Sequence, residues 1–463
     1  MAVAIAASGT ACGSSGSGGS HSSPPDASSD DSGNTPVVDS GAPEVVAEAA
    51  APEAAPEAAG YPATLPTDIP QVATRGGNVM TLPKIYPIFF AGDDPTMTAS
   101  VQDFANKVGA TNYWKANAEY GVGAAIGEPA IQLTHDDDPP LVYDDNDIET
   151  WLTNKLQSKD PAFPAPDGNT LYAFFFPADI TITMGGTSSG FPPDGGYMDG
   201  DVVEAGSIPS TASQSCKEFG GYHSAIQLSD GTLAAYSVVP RCAGFDGFTG
   251  IDAVTAAASH EFSEAATDPF LDAYSSVDRP HRYWSSLMGG GEVGDMCAQN
   301  LGSFLKFSEL PYTVQRIWSN KAALTGLDPC VPVPTGEVYF NTFPVMPDQI
   351  TTTGKGVDGG TTTTSVPGVQ IAVGASKTIE LDLFSTAPTT GPWTVSAYDQ
   401  FDLQEVTAQE LTFKYGKLTG QNGDKIQLTI TVVAAGRGNT EPFLIYSTLK
   451  GGAQNLWAGV VGN

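Results

Sequence analysis

The chain has 463 residues, 41% of them hydrophobic and 9% aromatic, which is enough for two or three globular domains with ample core. It carries 52 Asp and Glu against 20 Lys and Arg, a formal net charge of −32. That balance argues against nucleic acid and anionic lipid surfaces as partners, since both would repel it, and no run reaches the roughly 20 apolar residues of a membrane span.

At the N-terminus, apolar Ala2-Val3-Ala4-Ile5-Ala6-Ala7 is followed by small residues Gly9-Thr10-Ala11 and then Cys12. This predicts a signal or lipobox-like segment over 1–12, with a lipid on Cys12 as the one link to a membrane. Residues 13–75, first Gly/Ser/Asp-rich and then Ala/Pro/Glu-rich, predict a disordered linker that cannot bury enough apolar surface to offset ordering entropy. Four cysteines remain, Cys216, Cys242, Cys297 and Cys330, with no Cys-x-x-Cys pair among them. They predict two disulfides in an exported domain, with three pairings open.

A domain over 76–332 follows. Residues 84–90 predict a buried strand, 100–108 a helix capped by Thr98 or Ser100, 131–133 a short strand and 147–156 a second helix. Residues 171–176 are apolar on both faces and predict a central strand. Residues 222–228 and 232–239 flank Ser229-Asp230-Gly231 as a β-hairpin. The strongest helix spans 251–267 and stops at Asp268-Pro269. This order predicts an α+β or α/β domain with a mixed sheet. After a linker at 331–336, short alternating runs at 378–383, 393–398, 425–433 and 443–449 predict an Ig-like β-sandwich over 336–463, with 351–365 as a mobile loop.

The chemistry concentrates at His260-Glu261-Phe262-Ser263-Glu264. At 100° per residue His260, Glu261, Glu264 and Asp268 share one stripe of the helix. The segment resembles the His-Glu-x-x-His of zinc peptidases, where two side chains one turn apart bind Zn²⁺ and the intervening Glu acts on water. Glu264 replaces the second His. A site of one His and two Glu cancels the charge of zinc and acidifies water less, pointing to a weaker hydrolytic centre or a structural one. The alternative is an exposed acidic helix. Gly291-Glu292-Val293-Gly294-Asp295-Met296-Cys297 offers Glu292 as third ligand and Asp295 as an equal chemical candidate; the alternative is a turn whose carboxylates cap backbone N–H groups. His223 opens a hairpin strand and is a ligand candidate or a group orienting a transition state. His135 precedes Asp136-Asp137-Asp138, where Ca²⁺ binding is conceivable. His281 has no evident partner. No nucleophile elbow, Walker loop or dinucleotide fingerprint is present.

Over roughly residues 84–330 the chain resembles the exordium-like (phosphate-induced) proteins, secreted proteins best known from plants. The resemblance rests on Ile85-Tyr86-Pro87-Ile88-Phe89-Phe90, on 171–182 ending Ala178-Asp179-Ile180-Thr181, and on Cys216 followed by Gly221-Tyr222-His223-Ser224. Most specific are His260-Glu261-Phe262-Ser263-Glu264 running into Thr267-Asp268-Pro269, and Glu292-Val293-Gly294-Asp295-Met296-Cys297. The family has His-Glu-Leu-Ala-Glu, then Thr-Asn/Asp-Pro, then Glu-Ile-Gly-Asp-x-Cys at these places. The resemblance implies an extracellular or cell-envelope setting and a zincin-like helix; the tether and the C-terminal sandwich lie outside it. The resulting expectation is a secreted or surface-tethered zinc-dependent hydrolase, metallopeptidase-like, acting on protein or peptide. Its metal ligands would be His260, Glu264 and Glu292 with Asp295 in reserve, and its catalytic residues Glu261 and His223. The other reading is a non-catalytic surface protein with a structural metal site and a sandwich that binds cell-wall glycan or protein; a calcium-stabilised structural protein is a third.

Overall fold

A computed structural model describes residues 61–66, 68–184, 213–245, 247–355, 361–400, 409–436 and 439–463, all within one compact unit. The lipobox-like segment, Cys12 and the linker up to residue 60 lie outside the described residues. The fold is mixed α and β and rich in strands.

The central sheet has β1 (Lys84–Phe89), β2 (Thr170–Phe176), β3 (Tyr222–Gln227) and β4 (Leu233–Pro240) in the order β1-β2-β4-β3, with short edge segments Ile126–Gly127 and Ile131–Gln132 beside β1. Pairing is parallel from the edge segments through β4, and β3 runs antiparallel to β4. As its two apolar faces require, β2 is central. Leu171, Ala173 and Phe175 face α1 (Pro95–Val108) and α3 (Ile251–Thr267). Tyr172, Phe174 and Phe176 face α2 (Asp145–Gln157), through Ile148, Leu152 and Leu156. Helix α1 starts earlier than its periodicity predicts. Pro95 sits in its first turn, and the Asp94 carboxylate accepts the Thr96 N–H at 2.8 Å, so this pair caps the helix rather than Thr98 or Ser100.

Helix α3 keeps its predicted ends, but it is no exposed acidic helix. Ala253 through Thr267 are all buried. Its run of alanines lets backbone approach backbone, with Phe262, Ala265 and Ala266 against the sheet. Beyond it come α4 (Tyr283–Met288), α5 (Asp295–Ala298) and a short strand β5 (Thr313–Gln315). The disulfides join Cys216 to Cys242, at the base of the β3–β4 hairpin, and Cys297 to Cys330. Both fit a protein that folds in an oxidising compartment.

From residue 340 every named element is a strand. One sheet has the order β6 (Phe340–Pro344), β9 (Ser376–Ser385), β12 (Lys425–Val432), β11 (Leu411–Tyr415). The other has β7 (Asp348–Lys355), β8 (Thr361–Gln370), β14 (Gln454–Gly462), β13 (Thr440–Thr448), β10 (Trp393–Asp399), with Thr419–Gly420 at its edge. The two share a core built from Leu381, Leu383, Ile426 and Leu428 on one side and Trp393, Val395, Phe443 and Ile445 on the other. The loop expected at 351–365 is instead largely a hairpin. Thr351 pairs with Ser365 and Thr352 with Thr364, because β-branched threonines favour extended backbone and Ile350 and Val366 are buried beside them.

One further expectation is corrected. Order begins before residue 76: Ile69 and Val72 are buried, and Val72–Ala73 pairs with Ser276–Val277. At the start of the linker, Cys330–Val331 pairs with Ile317–Trp318, and among the described residues no named element lies between Val331 and Phe340. One apolar cluster joins Trp284, Val293, Met296 and Trp318 to Phe343, Phe384, Leu444 and Trp457. The Trp457 ring lies 5.0 Å from Trp284 and 4.6 Å from Phe343. Among the described residues no helix is long and apolar enough to cross a membrane.

Candidate metal centre

Three separate stretches of chain converge beneath the sheet. Helix α3 supplies His260 and Glu264 one turn apart, with His260 Nε2 at 3.0 Å from Glu264 Oε2. Helix α5 supplies Asp295, whose Oδ1 lies 3.7 Å from the same nitrogen. Strand β3 supplies His223, its Nδ1 at 3.7 Å from both Glu261 Oε2 and Glu264 Oε2. The opposite edge of that ring, Nε2, lies 3.6 Å from Glu292 Oε2. None of these six residues, nor Asp268, is more than 1% exposed. Two sets of three ligand atoms fall within 4.8 Å of one another: His260, Glu264 and Asp295; and His223, Glu261 and Glu264. Of the two candidates for third ligand, the structure brings Asp295 to His260 and turns Glu292 toward His223.

The surroundings fix these side chains. Glu264 Oε1 accepts the N–H groups of Gly294 and Asp295 at 3.1 and 3.0 Å. Its Oε2 is left buried with no hydrogen bond of ordinary geometry. Gln315 donates from Nε2 to Gly294 O at 2.6 Å, so its Oε1, 3.0 Å from His260 Nδ1, accepts from the imidazole. Nδ1 thereby keeps its proton, and Nε2, facing Glu264 and Asp295, is the nitrogen left to bind a metal, the usual arrangement of a metal-ligating histidine. Two glycines are close-approach sites. A Cβ on Gly294 would sit 2.7 Å from His260 Nδ1, and one on Gly221 2.7 Å from Glu261 Oε1. The Asp295 Oδ2 accepts the Glu292 N–H at 2.9 Å, which turns Oδ1 toward His260.

Glu261, Glu264, Glu292 and Asp295 form ion pairs with the two imidazoles. Burial pushes the His223 pKa down to about 4 against the pull of Glu264. Burial also opposes charge on His260, but Glu264 beside it, with Glu261 and Asp295, outweighs burial and holds His260 well above its usual value. Glu264 is raised by burial and lowered more by His260, ending below the usual range. Burial, then the charges of Glu264, Asp268 and Asp295, push Glu292 well above the carboxylate range, and burial raises Asp268 to about 6. Without a cation the cluster relies on protons, on His260 and Glu292, to offset buried negative charge. A divalent cation does the same with one ion. The residues fit zinc: metal–ligand bonds of about 2.0–2.2 Å imply ligand atoms about 3–4 Å apart, and the observed separations of 3.0 and 3.7 Å lie in that range.

The remaining sequence candidates have other partners. Asp268 closes the end of α3, its Oδ1 accepting the Ala273 N–H at 2.6 Å. His135 is exposed and 2.9 Å from Asp138, while Asp137 pairs with Lys155 at 2.7 Å. His281 lies between Asp278 and Asp68, at 2.9 and 3.1 Å. Sequence reasoning missed Gln315. It lies 55 residues beyond His260 in a three-residue strand, and no motif marks it.

No family model and no curated protein matches the chain. Among solved structures, a crystal structure of domains 4 and 5 of the S-layer protein SbsC aligns with a TM-score of 0.15 and 14% identity, over 32% of this chain and 89% of that one. A structure of SbsC domains 1–6 aligns with the same TM-score of 0.15 and 14% identity, over 32% of this chain and 22% of that one. At a TM-score of 0.15 neither assigns a fold or an activity.

Proposed function

We propose that the chain is an exordium-like extracellular or cell-surface protein whose zincin-like central domain holds zinc through His260, Glu264 and Asp295, and that it is a zinc-dependent hydrolase of proteins or peptides. The observation that carries this is the convergence of one oriented imidazole and two carboxylates from α3 and α5, all buried and with ligand atoms within 4.8 Å of one another. A cation there supplies Lewis acidity. Glu261, adjacent to His260 on the helix, is the general base that takes a proton from water. His223 is kept neutral by burial and serves as a hydrogen-bond donor toward developing negative charge. The two disulfides support the extracellular setting. Attachment through a lipid on Cys12 belongs to the same proposal, and the mass of the mature N-terminal peptide tests it.

The test is metal content together with proteolysis of a broad protein substrate. The purified chain is expected to hold zinc, and Glu261→Gln to lower cleavage by roughly 10²- to 10⁴-fold while keeping the ion on His260, Glu264 and Asp295. A protein without metal sinks the proposal. One observation favours a second reading, a non-catalytic surface protein with a structural metal: every site residue is at most 1% exposed, and closed sites are typical of structural zinc. In that case chelation lowers the melting temperature and no substrate is cleaved.

A further inference from the structure

We propose that this centre accepts a second divalent cation, held by His223 Nδ1, Glu261 Oε2 and Glu264 Oε2, with Glu264 shared between the two positions. The second set repeats the build of the first. His223 Nδ1 is 3.7 Å from each of the two carboxylate oxygens, and the three ligand atoms lie within 4.8 Å of one another. Each imidazole turns one nitrogen into the centre: the other nitrogen of His260 meets Gln315 Oε1 at 3.0 Å, and that of His223 lies 3.6 Å from Glu292 Oε2. An outer acceptor such as Gln315 orients a metal-ligating histidine. With Glu264 Oε1 committed to two backbone N–H groups, Oε2 is the shared atom.

Charge points the same way. Glu261, Glu264, Asp268, Glu292 and Asp295 are all buried, and Glu261, Glu264, Glu292 and Asp295 each place an oxygen within 3.7 Å of an imidazole nitrogen. Each divalent cation offsets two buried negative charges, and buried charge without compensation is strongly disfavoured. The backbone also makes room. Gly221, which has no side chain to collide with the Glu261 carboxylate, precedes the strand that brings His223. The Cys216–Cys242 disulfide ties the base of that hairpin.

The consequence for activity rests on the hydrolase reading. A cation between His223 and Glu261 engages the general base, so the singly loaded form is hydrolytic and the doubly loaded form is inhibited.

The experiment is zinc stoichiometry of the full chain, stripped with chelator and titrated with zinc alone, read by native mass spectrometry. Wild type is expected to take two zinc ions, and His223→Ala one. Glu261→Gln, which keeps the shape of the side chain should His223→Ala not fold, is also expected to take one. Saturation of wild type at one zinc overturns the second position and leaves the hydrolase reading standing. Two ions that persist in both variants overturn the placement. No zinc at all overturns both.

Discussion

In the sandwich, Leu381, Leu383, Ile426, Leu428 and Ile430 meet Trp393, Val395, Phe443 and Ile445 in a core of apolar side chains. At the candidate metal centre five carboxylates and two imidazoles are buried just as deeply. The first kind of interior is stabilised by removal of apolar surface from water and needs nothing else. The second is costly unless its charges are compensated, which is why the proposed function is placed there. The two regions meet at Trp457, which packs with Trp284, Trp318 and Phe343 in the cluster that also holds Val293 and Met296. Those last two residues bracket Gly294 and Asp295. The sandwich therefore braces the loop and helix that complete the centre, which a flexibly appended module would not do.

The largest expected effect breaks that brace. Trp457→Ala should cost about 3–5 kcal/mol, the range for truncating a large buried aromatic side chain. Denaturant unfolding followed separately in each region should show both shifting together, with zinc affinity falling as well. Two transitions, with only the sandwich shifted, would separate the regions again. Next, replacing Cys297 and Cys330 together by Ala should cost roughly 3–4 kcal/mol by loop entropy. It should loosen the loop that carries Asp295, read as a lower melting temperature and weaker zinc binding under the same oxidising conditions.

Smaller effects sharpen the contrast between a centre that is oriented and one that is merely filled. Gln315→Leu removes the acceptor that orients His260 and should weaken zinc binding about 10- to 100-fold in chelator competition. Gln315→Glu, which retains an acceptor, should recover part of it; equal affinity in all three proteins would deny Gln315 any positioning role. The smallest effect lies at His281, away from the centre. Burial opposes its charge, but hydrogen bonds that His281 donates to Asp278 and Asp68 outweigh burial and raise its pKa to about 9. A raised pKa stabilises the fold fully below the unfolded value near 6.5, and the contribution is lost as pH rises through about 9. With Asp68 44% exposed, the amount is roughly 1–2 kcal/mol. His281→Phe should remove this step from the stability profile between those pH values, as measured by urea unfolding.

Much of this was legible in the chain. The 100° stripe placed His260, Glu261 and Glu264 on one helix, and the proline after Asp268 set its end. The apolar runs located the central strands and most strands of the sandwich. Other features were not legible, for specific reasons. Alternating threonines at 351–365 look like a loop by composition, whereas Ile350 and Val366 make them a hairpin. Asp94-Pro95 carried the true start of α1, but hydrophobic periodicity alone drew attention further along. Gln315 has no local signal, since its role exists only where β5 passes α3.

Sequence by itself determined which chemical groups are near in the chain: an imidazole and two carboxylates at helical spacing, four cysteines, and a second run with Glu292 and Asp295. Tertiary structure alone decided that Asp295 meets His260 while Glu292 meets His223, that Cys216 pairs with Cys242 and Cys297 with Cys330, and that the sandwich packs onto the site loop. The reason is that helical and strand periodicities fix side-chain direction over a few residues, while contacts between segments far apart in the chain depend on how sheets, helices and their shared cores pack together.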